Sequence, residues 1–252
     1  MKIVALVFFI ITVSLFADES SAKLIKVGGY LFPPFVEKNL ENEYVGITID
    51  FIKEMNLIQD KFNFEFVPIS SKRRYASYDN KKFDLIIFED KNWGWEDKNI
   101  ISSDLILEGG EVYITKADPS KNQTYFDDFT NKEIALILGY HYGFADFNSD
   151  EDFLNKHFNI QFSTTHSGNI KKILIERADL SIVTLSYLNK FFDENPSEKC
   201  KILVSKKFDQ KYKHRILLRE DSEVKIEEIN SILYEMKDTG VLLRIWKKYG
   251  IN

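Results

Sequence analysis

Cysteine is nearly absent from this chain: Cys200 stands alone among 252 residues. One thiol forms no intramolecular disulfide and cannot build a thiolate zinc site. Histidine is scarce as well. His141, His157, His166 and His214 show no metal-ligand spacing, and neither a Gly-x-Ser-x-Gly elbow nor a glycine-rich phosphate loop is present. No catalytic residue, metal or cofactor is therefore expected. Concentrated positive charge is missing too, since 34 Lys and Arg are scattered among 39 Asp and Glu for a net charge of −5. A nucleic-acid partner is excluded on that ground, because phosphate binding needs a basic face. With five prolines and no Pro/Ser-rich stretch, the chain also lacks a loose tether between domains.

What is present begins with one apolar run, Ile3 to Phe16 behind Met1-Lys2, broken only by Thr12 and Ser14. At roughly 14 residues it suits an export-signal core and is short for a membrane span of about 20. Ala17 and Ala22 are candidate cleavage points, with no cysteine nearby to carry a lipid anchor. The expectation is a cleavable signal over residues 1–22 and a periplasmic mature protein, with an uncleaved anchor helix as the alternative. A disulfide-free exported chain fits a bacterial periplasm.

Beyond the signal, strands and helices alternate. Leu24–Val27, Phe62–Pro68 and Phe83–Phe88 read as strands, and Ile47–Leu57 has helical apolar spacing. That order implies a parallel sheet with right-handed crossovers. A second unit repeats it, with strands at Glu133–Leu138, Ile160–Ser163 and Ala178–Val183. Its helices are a Ser149- or Asp150-capped one from about Asp152, then Gly168–Glu176 and Leu185–Phe192. Val112–Thr115, Lys201–Ser205 and His214–Leu218 read as separate strands, and Gly240 splits the tail into two helices. The segment Gly28-Gly29-Tyr30-Leu31-Phe32-Pro33-Pro34-Phe35 displays its rings on a loop stiffened by two prolines, at the end of a strand where α/β proteins line clefts.

That loop, followed by Gly46-x-x-x-Asp50, resembles the opening of the family 3 extracellular solute-binding proteins, the periplasmic receptors of amino-acid-type ABC transporters. Asp84-Leu85-Ile86-Ile87, the strand ending at Gly139, Arg177-Ala178-Asp179-Leu180 and the tail Ile229–Tyr249 extend the resemblance over nearly the whole mature chain. It implies a two-lobed α/β clamshell of type II, each lobe a mixed, mostly parallel sheet flanked by helices. The first lobe would cover residues 23–112 and 207–252, and the second 113–206. A monomer that binds a small-molecule solute follows, served by an ABC permease or a membrane sensor; a cyclic-acid dehydratase on the same fold is the enzymatic alternative, with His141 near Glu89 for acid/base work.

The departures from the family pattern concern the ligand. Glu96 falls where the carboxylate-clamping arginine of a Thr-x-x-Arg is usual, and Thr184 follows Val183 where an aspartate for the α-amino group is usual. Arg73 or Arg74 and the turn Gly139-Tyr140-His141-Tyr142-Gly143 resemble a divergent branch. Candidate ligand contacts are Tyr30, Phe32, Phe35, Arg74, Glu89, Trp93, Trp95, Tyr140, His141, Tyr142, Thr184 and Tyr187. Each has a plainer reading. Trp93 and Trp95, in a polar stretch, either stack on a ligand or pack locally. Arg74 either binds a carboxylate or sulfonate, or pairs at the surface with Asp79 or Asp84. The Tyr140–Tyr142 backbone either takes an anion or only turns. Glu89 and Asp90 either receive a cationic group or face water, and the same choice of contact or plain cleft edge holds for Thr184 and Tyr187.

Overall fold

A computed structural model describes residues 22–251. Apart from Ala22, the expected export signal lies outside the described residues. The elements are β1 (Lys23–Gly29), β2 (Glu37–Lys38), β3 (Tyr44–Val45), α1 (Ile47–Leu57), β4 (Phe62–Pro68), α2 (Arg74–Asp79), β5 (Leu85–Glu89), β6 (Ile100–Ser102) and β7 (Leu107–Lys116). They continue as β8 (Glu133–Ile137), α3 (Glu151–His157), β9 (Asn159–Ser163), α4 (His166–Leu174), β10 (Leu180–Thr184), α5 (Leu185–Glu194), β11 (Ile202–Arg219), α6 (Ile226–Asp238) and α7 (Val241–Lys248). Among the described residues no helix is long and apolar enough to cross a membrane.

The main sheet runs β4-β1-β5-β11-β7-β10-β8-β9, with β6 on β11. Its two ends are parallel, β1 pairing with β4 and β5, and β8 with β9 and β10. Each parallel end is a strand–helix–strand unit, as the alternating sequence implies. The middle is antiparallel, where β11 pairs with β5 and β7, and β7 with β10. This is the mixed α/β, two-lobed architecture, with β7 and β11 running from one lobe into the other. Asp150 caps α3 by accepting from the Phe153 N–H at 2.8 Å, and Gly240, at φ 73°, separates α6 from α7.

One expectation is corrected at the center. Lys201–Ser205 and His214–Leu218 are not two strands but the ends of a single 18-residue strand, β11. Its polar middle, Lys206 to Lys213, hides the continuity, because register shifts on either side of Phe208 interrupt the period-2 pattern. Likewise β7 starts five residues before Val112, through Gly109-Gly110-Glu111. Those glycines let the strands approach: a Cβ on Gly109 would sit 2.2 Å from the Tyr212 ring, and one on Gly110 2.5 Å from Phe208. Gly109→Ala is expected to cost about 1–3 kcal/mol, the usual penalty of overpacking, read as a lower urea midpoint at unchanged m-value.

Candidate functional site

Where the lobes meet, β1 ends in Gly28-Gly29 and hands the chain to the aromatic loop. Tyr30, Phe32 and Phe35 are all buried, so the loop's rings face inward instead of standing in solvent. Phe32 is the pivot. It meets Trp93 edge-on at 5.9 Å and Tyr140 at 5.7 Å, while Tyr30 meets Tyr140 at 6.3 Å. These rings, with Arg74, His141, Glu111 and Gln210, surround a void of about 10 Å³, scarcely room for one water. The lobes are closed onto each other's side chains.

Arg74 opens α2 and is buried, which corrects the surface-pair alternative with Asp79 or Asp84. Its Nη1 donates to the carbonyls of Ser71 at 2.7 Å and Gly139 at 2.9 Å, the second across the lobe junction. Its Nε lies 3.9 Å from Glu89 Oε2, and the guanidinium stacks over Tyr75 and Tyr30 at 4.6 and 5.2 Å. Glu89 is itself buried and does not face water. Burial raises its pKa against the pull of Arg74, and its Oε2 accepts from Trp95 Nε1 at 2.7 Å.

The turn Gly139–Gly143 is held by packing from both sides. Gly139 has φ 78°, and a Cβ there would meet the Lys72 backbone at 2.9 Å. A Cβ on Gly143 would meet the Asp209 carbonyl oxygen at 2.2 Å. Asp209 also accepts from the N–H groups of Gly143 and Phe144, at 2.7 and 2.9 Å. The chain's own carboxylate thus occupies the position that an external anion would need. Tyr142 is entirely buried, its hydroxyl accepting from the Ile137 N–H at 2.8 Å. His141 bridges to the other lobe through Nε2, 2.8 Å from the Tyr75 hydroxyl, and its Nδ1 bonds the Phe147 carbonyl at 2.6 Å. Burial, with Arg74 second, lowers its pKa to about 4, so it is neutral at pH 7.

Of the expected residues, Tyr30, Phe32, Arg74, Trp93, Tyr140 and His141 surround one cavity. The others stand back from it. Phe35 packs on Phe88 and His214. Trp95 is fully buried between Tyr75 and Tyr78, so polar neighbors in sequence did not mean an exposed indole. Thr184 bonds His166 at 3.1 Å, and Tyr187 stacks on that imidazole, half-buried.

Two residues of the wall are not in the expected set: Glu111 of β7 and Gln210 of β11. Trp93 Nε1 donates to Gln210 Oε1 at 2.8 Å, which orients the amide. Gln210 Nε2 then donates to the His141 carbonyl at 2.6 Å and to Glu111 Oε2 at 2.9 Å. Burial, then Asp209, pushes the Glu111 pKa up to about 8. A carboxyl whose folded pKa lies above its unfolded value holds its extra proton in the native state. Its contribution to stability is complete below about pH 4.5 and is lost as pH rises through 8. Glu111→Gln is therefore expected to gain on the unmodified chain as pH climbs from 5 to 9, in melting temperature measured across that range.

The family model for bacterial extracellular solute-binding proteins, family 3, matches residues 25–252. Among solved structures, a putative binding component of an ABC transporter from Wolinella succinogenes complexed with lysine has a TM-score of 0.72 at 15% identity, covering 91% of this chain and 96% of that one. An ancestral arginine-binding protein bound to arginine reaches 0.69 at 20%, covering 91% and 99%. An ancestral amino-acid-binding protein, a precursor of cyclohexadienyl dehydratase, reaches 0.68 at 18%, covering 90% and 94%. No curated protein sequence matches significantly. Those TM-scores establish the fold, and the family match covers all but the first 24 residues: the chain belongs to the bacterial extracellular solute-binding proteins, family 3.

Proposed function

We propose that this protein is a periplasmic solute receptor. It captures a small polar or aromatic-containing solute between its lobes and presents the closed form to a membrane ABC permease. One observation carries the reading: the cavity at the lobe junction takes its walls from both lobes and is tied across the cleft by Arg74 to Gly139, Ser71 to Leu138 and Tyr140 to Leu31, at 2.9, 3.0 and 3.1 Å. Such ties break when the lobes part and re-form when they close. A ligand that bonds both sides then shifts the open–closed balance by its differential affinity.

In this reading the lobes are residues 23–112 with 207–252, and 113–206. Tyr30, Phe32, Trp93 and Tyr140 cover the solute's apolar faces, and the polar groups between them orient it. Phe35, Glu89, Trp95, Tyr142, Thr184 and Tyr187 support those contacts from behind. In this reading the expected export signal takes a monomer to the periplasm, and membership in an extracellular binding family supports that location. A membrane sensor would read the same closed surface.

The test is a thermal-shift screen of the chain from Lys23 against amino acids, carboxylates, amines, aromatic acids and short peptides. Ligand at 100 times its dissociation constant adds about 2.7 kcal/mol, a shift of several degrees. Mass spectrometry of a hit after incubation is expected to return it unchanged. Conversion of a cyclic acid would replace the receptor reading with a dehydratase one.

A further inference from the structure

A second and larger cavity lies beside the strands that join the lobes. It measures about 320 Å³, within the ~300–1,000 Å³ usual for small-molecule sites. Its wall combines Leu107 of β7 and Tyr212 of β11 with Phe35, with Leu185 and Ser186 of α5, and with Ile251 after α7. Two features of that wall lack a partner. The first is His214, fully buried, with no hydrogen bond on either ring nitrogen; the Phe88 carbonyl acts on the ring without closing one. Buried polar groups are bonded as a rule, so such an imidazole suits a ligand atom. The second is the N-terminus of α5. The hydroxyl of its capping residue Thr184 lies 3.1 Å from His166 Nε2, no side chain caps the helix, and its first turn holds no acid. The positive end of the helix dipole therefore meets the cavity at Leu185 and Ser186 uncompensated, a setting that favours an anion. At the rim Lys211 and Glu108, both exposed, offset one another. His214 also packs on Phe32 at 6.0 Å and Trp93 at 5.8 Å, rings of the smaller cavity, so it stands between the two.

We propose that this larger cavity is a second binding site, taking a small hydroxycarboxylate with an apolar body. The first-turn N–H groups of α5 and the Ser186 hydroxyl hold the carboxylate. Phe35 and Tyr212 cover the body, and His214 bonds the ligand's hydroxyl. Binding makes and breaks no covalent bond. Neither unpartnered feature depends on what fills the smaller cavity, so the site stands apart from the receptor reading. One consequence does rest on that reading. Phe35 and Ile251 belong to one lobe and α5 to the other, so the occupant bridges them and favours closure.

The experiment is NMR and calorimetric titration of the chain from Lys23, with isotope-labelled histidine, at pH 7. The probes are para-hydroxyphenylacetate and omega-hydroxyhexanoate. Phenylacetate and hexanoate, which lack the hydroxyl, and para-hydroxyphenylacetamide, which lacks the charge, are the controls. At least one hydroxy acid is expected to shift the His214 ring signals saturably, and its controls to bind at least about tenfold more weakly. His214→Phe keeps a ring and loses both nitrogens; it is expected to fold and to bind the hydroxylated and plain acids alike. Ser186→Asp adds an acid that the helix N-terminus favours, so the fold stands while affinity for the carboxylate falls about tenfold or more. Tyr140→Ala, confined to the wall of the smaller cavity, is expected to leave that affinity unchanged. Failure of both hydroxy acids to bind at millimolar concentration overturns the second site. So does binding that survives Ser186→Asp and is lost in Tyr140→Ala, which leaves the receptor standing. Controls that bind as well as the hydroxy acids overturn the assigned ligand chemistry. Binding with an unchanged radius of gyration overturns the bridging of the lobes.

Discussion

Arg74→Ala is expected to lower the unfolding free energy by about 3–5 kcal/mol, the cost of leaving a buried charge without its partner. The loss is not that of an exposed ion pair, which is commonly worth under about 1 kcal/mol. Arg74 and Glu89 are each about 1% exposed, so Glu89 stripped of its cation faces desolvation with only neutral donors to offset it. The signature is non-additivity. Arg74→Ala with Glu89→Gln is expected to recover roughly half of the loss, because the double substitution removes the orphaned charge. Urea denaturation of the two single variants and the double variant checks this. Additive losses would mean that the guanidinium acts through its carbonyl bonds to Ser71 and Gly139 and not through Glu89.

Trp95→Ala and Trp93→Ala are expected to part company. Trp95 lies wholly within the first lobe, wedged edge-on between Tyr75 at 5.0 Å and Tyr78 at 5.6 Å. Truncating it opens a cavity and strands a Glu89 acceptor, so it is expected to cost about 3–5 kcal/mol. Trp93 touches Tyr212 and donates to Gln210, whose amide in turn donates to the His141 carbonyl on the other side of the cavity. Its truncation acts on the closed state more than on the fold. Stability is expected to drop by about 1–2 kcal/mol, and ligand-induced stabilisation of the melting temperature is expected to vanish. Equal effects on fold and binding in both variants would contradict this division.

The fold was largely legible because its elements have clean periods. Ile47–Leu57 and Phe62–Pro68 coincide with α1 and β4 to the residue, since their apolar spacing is uninterrupted. Gly240 marks a real break because it stands in the left-handed region. What could not be read was the pair of long strands joining the lobes. A strand crossing a cleft is apolar at each end and polar in the middle, so β11 looks like two short strands with a loop between them. The same feature concealed half of the cavity's polar wall. Glu111 lies one residue before the apolar run that marks β7, and Gln210 lies in the polar center of β11.

Burial was also hard to read where polar residues are paired only in space. Arg74 and Glu89 are 15 positions apart and gave no sign in sequence of being each other's counter-ion. Trp95 sits beside Glu96 and Asp97, which face outward while the indole turns in. The only available signal was a charged residue closing an otherwise apolar strand, as Glu89 closes β5 and Glu111 precedes Val112. In water such a residue is ordinary; inside a sheet it requires a partner.

In the receptor reading a solute draws the two lobes together. Small-angle X-ray scattering of the chain from Lys23, with and without a saturating hit from the screen, tests it most directly. A smaller radius of gyration with ligand, and a profile matching the closed arrangement of the lobes, are expected. Saturation by ligand, confirmed by calorimetry, with an unchanged scattering profile would contradict it.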